Sequence, residues 1–142
     1  MTRRPDLSIN SLEVHHDYRQ LTFPLSRLIK TAADIYKKEH IHLKKQTHLI
    51  LCSDYRIKKL NASFRNKNKA TDVLSFSYND PDLLGEIYIS LQLIEIQARR
   101  YQTTYNEECM RMFVHGMFHL LGYDHQTEKD RAKMEAKEMN YL

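Results

Sequence analysis

Apolar residues recur along this chain with two different periods, and the switches between them divide it into elements. From Leu7 to His15 apolar and polar residues alternate loosely, as along a half-buried strand. After Phe23-Pro24, residues Leu25, Leu28, Ile29, Ala32, Ile35 and Tyr36 fall three or four apart. That spacing predicts a helix with one core face, closed by Lys37-Lys38 at its negative end. The apolar run His48-Leu49-Ile50-Leu51-Cys52 predicts a central strand, and Ser53-Asp54 then caps a helix carrying Ile57, Leu60 and Phe64. Arg65-Asn66-Lys67-Asn68-Lys69 has the polarity of an exposed basic loop. Two strands follow, Val73 to Ser77 and Gly85 to Ser90, and the turn signal Asn79-Asp80-Pro81-Asp82 between them implies an antiparallel pair. Ser90 caps a helix with Leu91, Ile94 and Ala98 on one face. The next helix begins near Asn106, with Glu107 and Glu108 at its positive end. Met110, Phe113, Val114, Met117, Phe118 and Leu121 give it a broad apolar face, and Gly122 stands where a helix C-terminal glycine belongs. From Thr127 a charged helix containing Glu135 and Glu138 runs on, and no internal repeat is visible.

A chain of 142 residues has the size of one domain and can bury a substantial core without staples. Its 42% hydrophobic and 28% charged residues, with only three Gly and three Pro, exclude a disordered or low-complexity protein. The excess of 22 basic over 18 acidic residues is compatible with an anionic partner, nucleic acid above all, and equally with a solvated basic surface. Cys52 and Cys109 stand far apart in no metal-ligand spacing, which argues for buried thiols in a reducing compartment. The first ten residues lack the apolar stretch of a signal peptide and no run of eighteen apolar residues occurs, so a cytoplasmic location without a membrane partner is expected.

The chemistry concentrates in His115-Gly116-Met117-Phe118-His119-Leu120-Leu121-Gly122-Tyr123-Asp124-His125. His115 and His119, four residues apart on the predicted helix, share one face and lie one turn apart. Gly122 ends the helix, and three residues later His125 can return to the same point. Three neutral imidazoles with a fourth position left for water are the ligand set of catalytic rather than structural zinc. The spacing H-x3-H-x2-G-x2-H coincides with the metal skeleton of the metzincin proteases, but Gly116 occupies the place of their general-base glutamate. A glycine cannot take a proton, so peptide hydrolysis by that route lacks its base. His15, His16, His40, His42 and His48 show no such spacing and are assigned to surface or strand positions.

The segment His115 to His125 resembles the signature of the YbeY family of metal-dependent endoribonucleases, with Phe118 in place of the common leucine. A second block is similar to the family as well: Leu60-Asn61, Phe64-Arg65, Lys67, Thr71 to Phe76, then Gly85-Glu86-Ile87 and Ile89-Ser90, where Glu86 replaces the usual aspartate. The likeness covers roughly Leu49 to His125. It implies one α+β domain over residues 1–142, a small mixed four-stranded sheet packed with about five helices, and a metal site at a helix C-terminus and the turn after it. It further implies a single zinc ion on His115, His119 and His125, with Arg65 in the cleft on the RNA. The implied activity is cleavage of single-stranded RNA in maturation of the small-subunit ribosomal RNA 3′ end and in ribosome quality control. Ribosomal particles or ribosome-associated proteins are the implied partners, without DNA specificity.

The residues themselves leave the nucleophile open between metal-activated water and the RNA 2′-hydroxyl, with water favoured. Arg65 suits a phosphate clamp because its guanidinium offers paired planar donors and stays charged. Lys67 and Lys69 add diffuse attraction. Asp72 and Ser75 are placed to orient a ligand histidine or a water, and Asp124 is either such a partner or a turn former. Arg56, Lys58, Lys59, Arg99 and Arg100 either extend an RNA surface or are solvated helix faces. Two competing functions share the metal: a hydrolase of a peptide or small molecule, indifferent to Arg65, and a non-catalytic ribosome assembly factor in which the ion is structural.

Overall fold

The computed structural model describes residues 11–65 and 73–142, apart from the side chains of residues 64 and 65. The beginning of the first expected strand, Leu7 to Asn10, therefore lies outside the described residues, as do Lys67, Lys69, Asp72 and the side chain of Arg65. In chain order the elements are β1 (Leu12–His16), α1 (Leu25–Lys38), β2 (Gln46–Cys52), α2 (Asp54–Arg65), β3 (Val73–Asp80), β4 (Leu83–Ser90), α3 (Leu91–Arg100), α4 (Tyr105–Leu120) and α5 (Glu128–Met139). The fold is α+β, and the described residues form four strands in the order β1-β2-β4-β3. β1 and β4 run parallel to β2, whereas β3 and β4 form an antiparallel hairpin, so the sheet is mixed.

Alternation along the strands sorts residues onto two faces. Leu12, Leu49, Leu51, Ile87 and Ile89 join the larger core with Leu28, Ile29, Ala32 and Ile35 of α1 and Met110, Phe113, Val114, Met117 and Phe118 of α4. Ile50, Cys52 and Leu74 point the other way, onto Ile57 of α2. Phe113 is fully buried in the larger core. Truncating it to Ala removes a whole ring from a close-packed site, at a cost of about 3–5 kcal/mol.

The caps are formed by hydroxyl side chains. Ser53 accepts from Arg56 N–H, Ser90 from Leu93 N–H, Thr104 from Glu107 N–H and Thr127 from Asp130 N–H. Because Thr104 is the cap, α4 starts at Tyr105, one residue before the expected Asn106. β3 also runs further than its apolar residues, through Asp80, leaving a two-residue turn at Pro81-Asp82. Among the described residues no helix is long and apolar enough to cross a membrane. Both cysteines are buried free thiols, and burial pushes Cys52 up to about 11 and Cys109 up to about 12, which keeps them protonated and unreactive.

Candidate metal centre

The centre begins with how α4 ends. Tyr123 N–H donates to the Phe118 carbonyl and Gly122 N–H to the His119 carbonyl, both at 3.0 Å, the paired bonds of a Schellman turn. Gly122 takes φ +99°, a conformation that costs a side-chain-bearing residue steric strain. The chain thereby reverses over the last turn of α4 and returns His125 to the face carrying His115 and His119. One ring nitrogen from each of the three lies within 4.8 Å of the others, and no fourth His, Cys, Asp or Glu of the described residues belongs to the group. The ring centroids are 4.6, 5.2 and 5.5 Å apart.

What fixes the rings is on their far sides. His115 Nδ1 lies 2.7 Å from Glu138 Oε2 of α5, and His119 Nδ1 lies 3.0 Å from the Tyr123 carbonyl oxygen. Both partners accept only, so each Nδ1 carries the proton and each Nε2 presents a lone pair. Those two Nε2 atoms are 3.1 Å apart. With no proton between them, two lone pairs at that distance repel, and a cation between them turns the repulsion into two bonds. Zinc–nitrogen distances in a tetrahedral site put donors roughly 3.3 Å apart, so the spacing suits such an ion. Burial, and then the neighbouring His115, hold the His119 pKa below its ordinary value, favouring the neutral form that a metal needs. The donor set therefore fits a metal ion.

Gly116 is required by packing. A Cβ there would come within 2.7 Å of Ile87 Cγ2 and 3.3 Å of Ser75 Oγ, so α4 lies against the sheet through the bare backbone between its two histidines. A glutamate at 116 does not fit, and the missing protease base is a consequence of the helix–sheet contact. Ser75 donates to the Gly116 carbonyl at 3.2 Å, so its hydroxyl ties β3 to α4 rather than meeting a ligand ring. Asp124 accepts from Gln126 N–H at 3.4 Å, a turn-forming contact. Glu86 lies on the other face of the sheet, accepting from the Tyr78 and Tyr88 hydroxyls at 2.9 and 3.2 Å. The basic residues proposed for an RNA surface are partly committed: Arg56 pairs with Asp17 and Arg99 with Glu95.

Glu138 is the site residue that sequence reading passed over. Nothing in its spacing marks it, because it reaches His115 from twenty-three residues away through the packing of α5 on α4. Tyr123 contributes in two ways, packing edge-on against Phe118 at 5.5 Å and offering its carbonyl to His119. A recess of about 360 Å³ lined by Leu121, Gly122, Tyr123, Asp124, Asp130 and Lys133 adjoins the turn. Another recess, of about 500 Å³, is lined by Tyr101, Thr103, Glu107, Glu108, Arg111 and Leu142 near the start of α4 and contains none of the three histidines.

An α+β fold in which a helix and the turn after it build a three-histidine centre, with glycine in place of a protease glutamate, defines a class of candidate metallohydrolases distinct from the zinc proteases. Comparison with known proteins narrows the class. The family model described as Endoribonuclease YbeY matches residues 11–142. Proteins named Endoribonuclease YbeY are similar to this chain: one from Thermosipho melanesiensis is 37% identical, covering 75% of this chain and 77% of that protein. One from Desulforamulus reducens is 45% identical over 66% and 68%, and one from Thermotoga maritima is 36% identical over 83% and 78%. The solution structure of TM1509 from Thermotoga maritima superposes with a TM-score of 0.63 at 29% identity, covering 92% of this chain and 85% of that one. The chain belongs to the Endoribonuclease YbeY family.

Proposed function

We propose that this chain, acting as one domain over residues 1–142, is a zinc-dependent endoribonuclease that cleaves single-stranded RNA in the cytoplasm, in maturation of the small-subunit ribosomal RNA 3′ end and in ribosome quality control. The observation that carries the reading is the pair of Nε2 lone pairs 3.1 Å apart, each fixed by a Nδ1 proton donated to Glu138 or Tyr123, with His125 completing the trio. Zinc, when held there, would supply Lewis acidity toward a phosphate oxygen and would acidify a nearby water. Everything else falls to the protein. His115, His119 and His125 would hold the ion, Glu138 fixes the orientation of the His115 ring, and Gly122 lets the chain bring back the third ligand. The exposed position of His125 leaves the centre accessible to a long polymer. Arg65 ends α2, and as a guanidinium it clamps a phosphate whose charge grows toward the transition state.

Both nucleophiles suit this site, and the products separate them. Attack by the 2′-hydroxyl leaves a 2′,3′-cyclic phosphate and a 5′-hydroxyl, whereas attack by water leaves a linear phosphate. Water is the favoured route, since three neutral imidazoles would leave the charge of a bound ion undiminished.

The test compares two variants on unstructured and structured RNA. His119→Ala is expected to lose the zinc of the three-histidine centre and at least a thousand-fold in cleavage. Arg65→Ala is expected to keep the zinc and lose about 100- to 1000-fold in cleavage, the scale of removing one charge-stabilising donor. Cleavage by metal-free His119→Ala at the parent rate overturns the proposal.

A further inference from the structure

The three-histidine centre is not the sole convergence of ligating side chains among the described residues. Glu13, His15 and His48 also bring one donor atom each to within 4.8 Å of one another. They meet through strand register. Glu13 and His15 are two apart on β1 and so share a face, while His48 on β2 pairs directly with Glu13. Their chain neighbours Leu12 and Leu49 point the opposite way into the larger core that α4 covers. The cluster therefore stands on the sheet face that turns away from the three-histidine centre.

The distances are those of shared ligands. His15 Nε2 lies 3.1 Å from His48 Nδ1, which lies 3.3 Å from Glu13 Oε1, and that oxygen is 3.9 Å from His15 Nε2. The two rings stack at 12° with centroids 5.3 Å apart. The two facing ring nitrogens carry at most one hydrogen each, so hydrogens cannot bridge all three edges of this triangle. A divalent cation satisfies all three at once. The two short edges already match the roughly 3.3 Å donor separation of a tetrahedral ion. The long edge involves Glu13, whose side chain is 56% exposed and can swing inward.

We propose that Glu13, His15 and His48 form a second divalent transition-metal site, independent of the three-histidine centre. Two imidazoles and a carboxylate select zinc, nickel, copper or cobalt over magnesium and calcium, which prefer all-oxygen shells. Among the described residues His15 Nδ1 and His48 Nε2 make no hydrogen bond that would orient the rings, unlike the far nitrogens of His115 and His119. The second site is accordingly weaker, by about 10- to 100-fold. An ion there ties β1 at the sheet edge to β2, adding cross-links to a ladder otherwise held by backbone hydrogen bonds.

Equilibrium dialysis of the whole chain against zinc alone tests it. The parent should bind two ions, His119→Ala and His48→Ala one each, and the double variant none. In His119→Ala, zinc should also shift the ring-proton resonances of His15 and His48, a readout that needs no change at the cluster. His15→Gln in that background should weaken the remaining site at least ten-fold. If His119→Ala binds no zinc, or if its remaining ion survives His48→Ala and leaves those two rings unshifted, the second site is refuted. Should the parent's zinc be removed by His48→Ala and untouched by His119→Ala, this inference stands and the reading of the three-histidine centre falls.

Discussion

The two histidine clusters use the same donor chemistry on different scaffolds, and they differ most in what holds the far side of each ring. At the end of α4 the rings of His115 and His119 are fixed by Glu138 and by the Tyr123 carbonyl, so the lone pairs aim before any ion arrives. On β1 and β2 the rings of His15 and His48 stack on each other, and their outward nitrogens are tied to none of the described residues. Ligand count is three in both. Preorganisation separates a centre fit for turnover from one fit for reversible binding.

The largest expected effect comes from erasing that difference. Glu138→Ala should lower zinc affinity at the three-histidine centre by about 10- to 100-fold and bring it near the strand site. Glu138→Gln keeps an oxygen that can accept from His115 and should recover most of the loss. Zinc competition against a chelator measures both, and equal affinities for the two variants would mean that the carboxylate does not orient the ring.

Next in size are the backbone devices that only the helical centre possesses. Gly116→Ala forces a methyl group against Ile87 and should destabilise the fold by about 1–3 kcal/mol, read as a lower denaturation midpoint with an unchanged slope. Gly122→Ala meets no neighbour within 4 Å, so its cost of about 1–2 kcal/mol is conformational alone, and it should weaken zinc binding through misplacement of His125. An unaltered zinc affinity would show that the turn does not govern the third ligand. His48→Ala, by contrast, should leave RNA cleavage within about two-fold of the parent, since its cluster lies on the other face of the sheet and a two-fold change is worth under half a kcal/mol. A ten-fold loss would couple the two clusters.

How much of this was legible in the sequence follows the same division. His115, His119, Gly122 and His125 could be read because a helical turn and its terminating glycine are local, with fixed geometry over eleven residues. The mixed α+β sheet with about five helices implied by the family resemblance is the fold seen among the described residues, and the turn signal Asn79-Asp80-Pro81-Asp82 did mark an antiparallel pair, although its first two residues belong to β3. Strand order was not legible, because the insertion of β4 between β2 and β3 depends on how helices cover the two faces. His15 and His48 were correctly assigned to strands, yet their grouping with Glu13 depends on the register of two parallel strands joined through α1, which no spacing encodes. Glu138 escaped for a like reason. It is one of several charged residues along α5, and only the docking of that helix distinguishes it.

That docking is itself testable through pH, and it sharpens the comparison because only the helical centre depends on α5. Glu39, just after α1, is 2.9 Å from Lys137 Nζ and accepts from the Tyr141 hydroxyl at 2.6 Å, so it clasps the segment that carries Glu138. Burial raises the Glu39 pKa, but the bonds from Tyr141 and Lys137 outweigh it and hold the carboxyl below its ordinary value. A group whose pKa falls on folding stabilises the native state above its unfolded pKa and loses that contribution as pH drops through the folded one. The clasp is therefore present at neutral pH and is released on acidification through and below the carboxylate range. Lys137 is one-third exposed and solvent screens the pair, so the contribution is below about 1 kcal/mol. Glu39→Gln should show a smaller loss of stability on acidification than the parent, with amide exchange in α5 faster at neutral pH and zinc affinity at the strand site unchanged. If exchange in α5 matches the parent at neutral pH, Glu39 is not what holds the helix in place, and the orientation of Glu138 rests on the apolar contact of Met134 with the core instead.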